Sequence, residues 1–92
     1  MFIIVKTSLN TRMYITKYGV FYEGQLLYRY LWNNGKLYYE DEVILDKFIF
    51  HYKTGSAKLY CRIFLKDSNR KTRNHITINS EQLGVLYKIK RF

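Results

Sequence analysis

Apolar and polar residues alternate most regularly between Ala57 and Lys66 of this 92-residue chain. Every second residue from Ala57 to Leu65 is apolar, and most of the residues between them are basic or aromatic. Successive side chains of a β-strand point to opposite faces of its sheet, so the pattern predicts a strand with one apolar face and one basic, aromatic face.

The preceding residues predict the partner of this strand. Thr54-Gly55 is typical of a two-residue hairpin turn, which fixes the register of the two strands it joins. In that register His51 lies opposite Lys58, and Phe48 lies opposite Cys61. Residues 47–53 then extend both faces of the strand that follows them.

A third strand and a loop extend the basic face. His75-Ile-Thr-Ile-Asn79 alternates again, with its isoleucines directed inward, and the polar connection before it carries three cations. Cations mixed with flat side chains suit a phosphate backbone and stackable bases. We therefore predict a nucleic-acid-binding surface made of Lys47, His51, Lys53, Lys58, Tyr60, Arg62, Phe64, Lys66, Arg70, Lys71, Arg73 and His75.

Asn34-Gly35 is the strongest local hairpin signal, because both central residues of a type I′ turn need positive φ. Pairing outward from this turn predicts that Trp32 faces Leu37, that Tyr30 faces Tyr39 and that Arg29 forms an ion pair with Glu40. One face then carries mostly aromatic side chains with no cation between them. We expect this face to belong to the core rather than to a base-stacking platform. Its members are Tyr28, Tyr30, Trp32, Leu37 and Tyr39.

The remaining segments also favour β-structure. Short apolar runs near residues 2–5, 13–16, 20–22 and 25–32 are separated by polar or glycine-containing turns. Asn79 followed by Gln82 predicts one helical turn at 80–84, and a strand follows at 85–91. We predict a single all-β domain over residues 1–92: a small antiparallel barrel or sandwich of about six strands joined by tight hairpins.

Charge points to an anionic partner. The formal net charge is +9, and residues 47–92 carry eleven Lys and Arg against two acids. Such a balance favours nucleic acid first, then an acidic protein or an anionic membrane surface. The excess of Phe, Tyr, Ile, Asn and Lys also indicates an AT-rich gene, as in a phage or a low-GC bacterium, which weakens overall composition as evidence but not the alternation.

The cysteine content and the apolar runs of the chain predict where the protein is located. A single cysteine, Cys61, on the apolar side of its strand predicts a buried thiol in a reducing compartment. We find neither a signal-like segment nor an apolar run long enough to cross a bilayer. We expect a cytoplasmic protein without membrane contact, and the sequence is compatible with a homo-oligomer.

Enzymatic chemistry has little support in the sequence. His51 and His75 on a basic face resemble the acid and base of a metal-free nuclease, but neither lies in a distinctive motif. The acids at 40–42 and 46 match no metal-binding loop, and one Cys with two His argues against zinc. We therefore expect no metal, no cofactor and no catalytic residue.

Two hypotheses from different classes remain, and a small metal-free nuclease ranks third. The first is a non-enzymatic domain that binds RNA or single-stranded DNA through the basic, aromatic face and the basic loop. The alternative is a protein-binding module, such as a phage-encoded inhibitor or a subunit of a larger assembly. In that case the basic face docks on an acidic or nucleic-acid-binding partner, and the tyrosine-rich hairpin at 28–39 supplies the hot spots.

Overall fold

The computed structural model describes residues 4–6, 11–53, 55–65 and 74–90, which are almost entirely β-structure. A short 3₁₀ helix (Ser80–Gln82) is the one helical element among them. The strands are β1 (Ile4–Lys6), β2 (Arg12–Thr16), β3 (Gly19–Tyr22), β4 (Leu26–Asn33), β5 (Lys36–Lys53), β6 (Ser56–Leu65), β7 (His75–Asn79) and β8 (Tyr87–Ile89).

Two antiparallel sheets contain these strands. The small sheet has the order β1-β2-β3, and the large sheet has the order β7-β6-β5-β4-β8. The predicted all-β class is confirmed, and the arrangement is not a closed barrel. Eight strands are present within the described residues, and β2 and β3 are separate strands joined by a turn at residues 17–18.

Both predicted hairpin registers are confirmed near their turns. His51 lies opposite Lys58 and Phe48 opposite Cys61, although Thr54 of this turn lies outside the described residues. In the other hairpin Trp32 lies opposite Leu37. Asn34 and Gly35 have φ angles of 50° and 77°, as a type I′ turn requires.

Two bulges interrupt β5. The register shifts between Arg29 and Tyr30 of its partner β4, which leaves Glu40 as the extra residue, and it shifts again at Asp46. Unbent, a strand of 18 residues would be roughly 55 Å long, whereas the largest dimension of the molecule is 37 Å. The bulges therefore bend β5, as extra residues in a ladder do.

The first bulge overturns one predicted ion pair. Arg29 lies opposite Asp41, not Glu40, and its guanidinium donates two hydrogen bonds of 2.7 Å to the Asp41 carboxylate. Asp41 is therefore the counter-charge of Arg29 across the ladder.

One hydrophobic core lies between the sheets. Phe21 of the small sheet is fully buried with the inward side chains of the large sheet, and Tyr14 packs edge-to-face on Phe48 with ring centroids 6.0 Å apart. The predicted inward positions Ile76 and Ile78 pack against this core. Its buried members are Phe21, Leu27, Val43, Leu45, Phe48, Leu59, Cys61, Ile63, Leu83 and Tyr87.

A polar junction joins the sheets at the edge of this core. The Arg12 guanidinium donates to the Glu23 carboxylate at 2.7 Å, and the backbone N–H of Phe48 donates to the same carboxylate at 3.0 Å. Burial alone would raise the pKa of Glu23, but the hydrogen bonds from Arg12 and Phe48 outweigh burial and lower that pKa. The junction therefore holds a charged carboxylate beside the second bulge of β5.

The end of the chain largely follows prediction. The Asn79 side chain accepts a hydrogen bond of 2.9 Å from the Glu81 N–H and so caps the 3₁₀ helix. The predicted strand at 85–91 is shorter, because residues 84–86 form a turn before β8. None of the described residues belongs to a helix with the length and apolarity that a bilayer crossing requires.

Candidate nucleic-acid interface

The face of the large sheet that points away from the core carries the predicted binding residues. We call it the outer face. In β6 the core residues Leu59, Cys61 and Ile63 alternate with outward side chains, and the registers with β5 and β7 carry this alternation across the sheet. Its predicted members within the described residues are Lys47, His51, Lys53, Lys58, Tyr60, Arg62, Phe64 and His75.

One end of the outer face concentrates positive charge. Lys53 and Lys58 stand next to the turn between β5 and β6, and Lys47 lies farther along β5. All three are exposed, and none forms an ion pair within the part of the chain that the structure describes. Their full charge is therefore available to a ligand. We call Lys47, His51, Lys53, Lys58 and Tyr60 the basic end.

A shallow cavity of about 270 Å³ opens at the basic end. It lies next to the edge-to-face pair of His51 and Tyr60, whose ring centroids are 5.1 Å apart. Ammonium, imidazole and hydroxyl groups all suit the oxygens of a phosphate. The volume is just below the roughly 300 Å³ of the smallest usual ligand pockets. Its lining residues are His51, Lys53, Ser56, Lys58, Tyr60 and Thr77.

Farther along β6 the outer face is less basic than the sequence suggested. Arg62 donates a hydrogen bond of 2.7 Å to Asp46, which the second bulge brings to this face. The same guanidinium lies over the Phe64 ring, 5.7 Å from its centroid, and Phe64 meets His75 edge-to-face. Arg62 is thus partly neutralised by an acid at the second bulge.

The remaining predicted cations cannot be placed on this surface. Lys66, Arg70, Lys71 and Arg73 lie outside the described residues, so their contribution stays a prediction. Phe64 and His75, which flank this segment, are both on the outer face.

The two histidines are too far apart for the nuclease hypothesis. His51 lies opposite Lys58 and His75 lies opposite Phe64, so six positions of β6 separate them. At about 3.3 Å per residue this is a distance of roughly 20 Å. A general acid and a general base must both come within hydrogen-bond reach of one phosphodiester. These two histidines therefore cannot act as such a pair.

The aromatic residues of the 28–39 hairpin lie outside the core, which corrects their assignment to it: Tyr28 and Tyr30 are half-buried, and Trp32 and Tyr39 are exposed. Trp32 and Tyr39 are 64% and 55% exposed. Tyr39 contacts Tyr28 and Tyr30 edge-to-face, with ring centroids 5.5 and 5.9 Å apart. We call Tyr28, Tyr30 and Tyr39 the tyrosine cluster. The cluster lies outside the core because Tyr14 and Phe21 of the small sheet pack on the opposite face of the large one. Tyr18, in the turn between β2 and β3, lines a cavity with Tyr28 and Tyr30.

Cations also interleave this cluster, contrary to the sequence analysis. The ammonium of Lys88 lies over the Tyr30 ring at 5.2 Å, and that of Lys90 lies over the Tyr28 ring at 5.8 Å. Lys90 additionally donates to Glu42 at 2.9 Å, and this hydrogen bond raises the pKa of Lys90. Sequence reasoning missed both lysines because β8 joins β4 from the far end of the chain.

The described residues offer little basis for thiol chemistry or metal binding. Cys61 is buried, and burial raises the pKa of its thiol to about 12, which leaves it protonated and unreactive at neutral pH. Within the described ranges, no three His, Cys, Asp or Glu side chains form a group that could hold a metal ion.

Comparison with known proteins gives no further guidance. Models of known protein families, curated proteins and solved structures contain no match to this chain. The proposal about its function therefore rests on the arrangement of its own residues.

Proposed function

We propose that this protein is a non-enzymatic, cytoplasmic nucleic-acid-binding domain for RNA or single-stranded DNA. The observation that carries the proposal is the basic end, where Lys53 and Lys58 flank a cavity that also presents His51 and Tyr60. These are exposed cations beside rings that bases can stack on. Neither lysine has a carboxylate partner among the described residues.

Energetics favour a phosphate backbone as the ligand of these lysines. Each cation that neutralises a phosphate releases condensed counterions, which gives affinity its dependence on salt. A charge already paired within the protein contributes less, because its carboxylate must first be displaced. Lys58 therefore contributes more to binding than Arg62, which donates to Asp46.

Binding of a labelled oligonucleotide tests the proposal. We expect an unstructured strand of about 12 nucleotides to bind with an affinity that falls steeply as salt rises. Lys58→Glu is expected to weaken binding and to lower the slope of log affinity against log salt by about 0.7, the loss of one phosphate contact with a single strand.

Lys17→Glu is the matched control, because it changes the net charge equally at an exposed lysine in the turn between β2 and β3, outside the basic end. Equal effects of the two variants would mean that only the overall charge matters. No salt-dependent binding by the unmodified protein would refute the proposed function. Arg62→Glu is a poorer probe, because it places a second carboxylate against Asp46.

One observation favours protein binding as a second candidate function. At the tip of the β4–β5 hairpin, Trp32 and Tyr39 are exposed on the outer face while Leu31 and Tyr38 are 47% and 52% exposed on the other. Trp and Tyr are frequent hot spots of protein interfaces. A stable protein complex that survives high salt and is lost in Leu31 and Tyr38 variants would favour this function. Both side chains lie on the face opposite the proposed nucleic-acid-binding surface.

A further inference from the structure

We infer that the tyrosine cluster, with Trp32, Lys88 and Lys90, is a second nucleic-acid contact, so that the ligand is a single strand crossing the outer face from the basic end. The inference rests on the proposed function and deepens it, because it names the form of nucleic acid that is bound. It depends on two groups of residues that are separated along the outer face: the basic end, and the tyrosine cluster with its neighbouring tryptophan and lysines.

The second contact offers separate positions for phosphates and for bases. The rings of Tyr28 and Tyr30 lie beneath the ammonium groups of Lys90 and Lys88, which holds both cations at the surface. Lys88 has no ion pair within the described residues and suits a phosphate. Tyr39 and Trp32 are more than half exposed, and their rings suit stacking.

Stacking selects for an unpaired strand. In a duplex both faces of each internal base are covered by neighbouring bases, so protein rings reach base faces only in single strands. A double helix could contact the lysines through its phosphates but would leave Tyr39 and Trp32 unused. The pairing of rings with cations therefore favours single-stranded RNA or DNA over duplexes.

The separation of the two contacts sets a minimum length for the ligand. Tyr28 lies opposite Glu42, and Tyr60 lies opposite Ile49. These positions are seven residues apart on β5, one of them the bulged Asp46, so the contacts are about 20 Å apart. At about 3.4 Å per nucleotide of a stacked strand, about six nucleotides reach both contacts, and a more extended strand reaches both with fewer.

Adjacent tyrosines provide a matched pair of variants. Tyr39 and Tyr38 are 55% and 52% exposed, but Tyr39 is on the outer face and Tyr38 points to the opposite one. With strands of about 12 uridines or thymidines, we expect Tyr39→Ala to weaken binding about 5- to 150-fold, the loss of stacking on one base. Tyr38→Ala should leave affinity unchanged, and Tyr39→Phe should keep it.

Trp32 provides an independent readout, since it is the one tryptophan of the chain. Strands of about 12 nucleotides should quench its fluorescence, whereas a dinucleotide that occupies only the basic end should not. The uridine and thymidine arms show whether RNA or DNA is preferred.

The outcomes separate this inference from the proposed function. If the unmodified protein binds with salt dependence and Lys58→Glu weakens binding, but both tyrosine variants behave alike, the second contact is refuted and the function stands. If duplexes bind as tightly as single strands, the inference fails in the same way. If no nucleic acid binds, both fail. Equal thermal midpoints for Tyr38→Ala and Tyr39→Ala exclude unfolding as the cause of any difference.

Discussion

Replacing Glu23 by Gln tests the polar junction between the two sheets. In the wild-type protein the Glu23 carboxylate, only 19% exposed, accepts hydrogen bonds from Arg12 and from the Phe48 N–H. Gln keeps the shape but is uncharged and has one acceptor oxygen, so both donors lose a charged partner and one N–H group faces the amide NH2 instead of an acceptor. A partly buried donor left unsatisfied costs about 1–3 kcal/mol, and we expect a loss of about 2 kcal/mol in unfolding free energy at pH 7.

The effect should depend on pH with a definite sign. The pKa of Glu23 is lowered in the folded protein from its usual 4.5, so the unfolded chain binds more protons there. This contribution to stability is fully present above pH 4.5 and is lost as pH falls through the folded-state pKa. The stability difference between wild type and Glu23→Gln should therefore narrow in acid.

Urea unfolding at several pH values between 7 and 3 measures both effects. Glu40→Gln is the matched control, because Glu40 is exposed at a bulge and forms no hydrogen bond or ion pair within the described residues. It should change stability by less than about 0.5 kcal/mol. The reasoning is refuted if the two variants lose equal stability, or if the deficit of Glu23→Gln persists unchanged in acid.

Three further predictions concern the core, one turn and the surface. Because its burial keeps the thiol protonated, Cys61 should react with a thiol reagent only as fast as the protein opens, and fast labelling of the native protein would contradict this. Gly84→Ala should destabilise by more than the about 1–2 kcal/mol of a positive φ alone, because its Cβ would lie 2.4 Å from the Tyr18 ring. Gly55→Ala is the control in thermal unfolding, because Gly55 has a φ similar to that of Gly84 and an added Cβ there would meet no other atom within 4 Å. Trp32→Ala should change the thermal midpoint little, since that side chain is 64% exposed; a large drop would mean that it belongs to the core.

The parts of the fold governed by local chemistry could be predicted from the sequence. Alternation over 57–65 and the turn residues Asn34-Gly35 and Gly55 were enough for the faces and registers near both turns. Asn79 marked the start of the helical turn for the same reason, because a cap acts within a few residues.

The bulges at Glu40 and Asp46 could not be predicted, since an inserted residue has no signature in a two-residue period. Each bulge changes which acid meets which arginine. Past the first, Arg29 pairs with Asp41. At the second, Asp46 reaches Arg62 on a face that the sequence suggested was free of acids.

Of the two proposed contacts, the basic end could be predicted from the sequence and the second contact could not. The basic end lies on one hairpin, so its residues are close in sequence. The second contact combines the 28–39 hairpin with Lys88 and Lys90, and only the pairing of β4 with β8 brings them together. That these tyrosines lie outside the core depends on which face the small sheet covers, which hydrophobicity alone does not specify.

Strand β5 is shared by two hairpins, since it pairs with β4 and with β6, and this has a consequence for how the chain folds. Its two turns join neighbouring residues, so β4–β5 and β5–β6 can each form through local contacts, which favours fast pairing. The pairing of Leu27 with Ile89, by contrast, closes a loop of about 60 residues. We expect the three-stranded meander to form first and β8 to dock last, so the basic end should exist in a folding intermediate before the second contact does. Pulsed hydrogen exchange should protect Ile49 and Tyr60 before Tyr28 and Lys88.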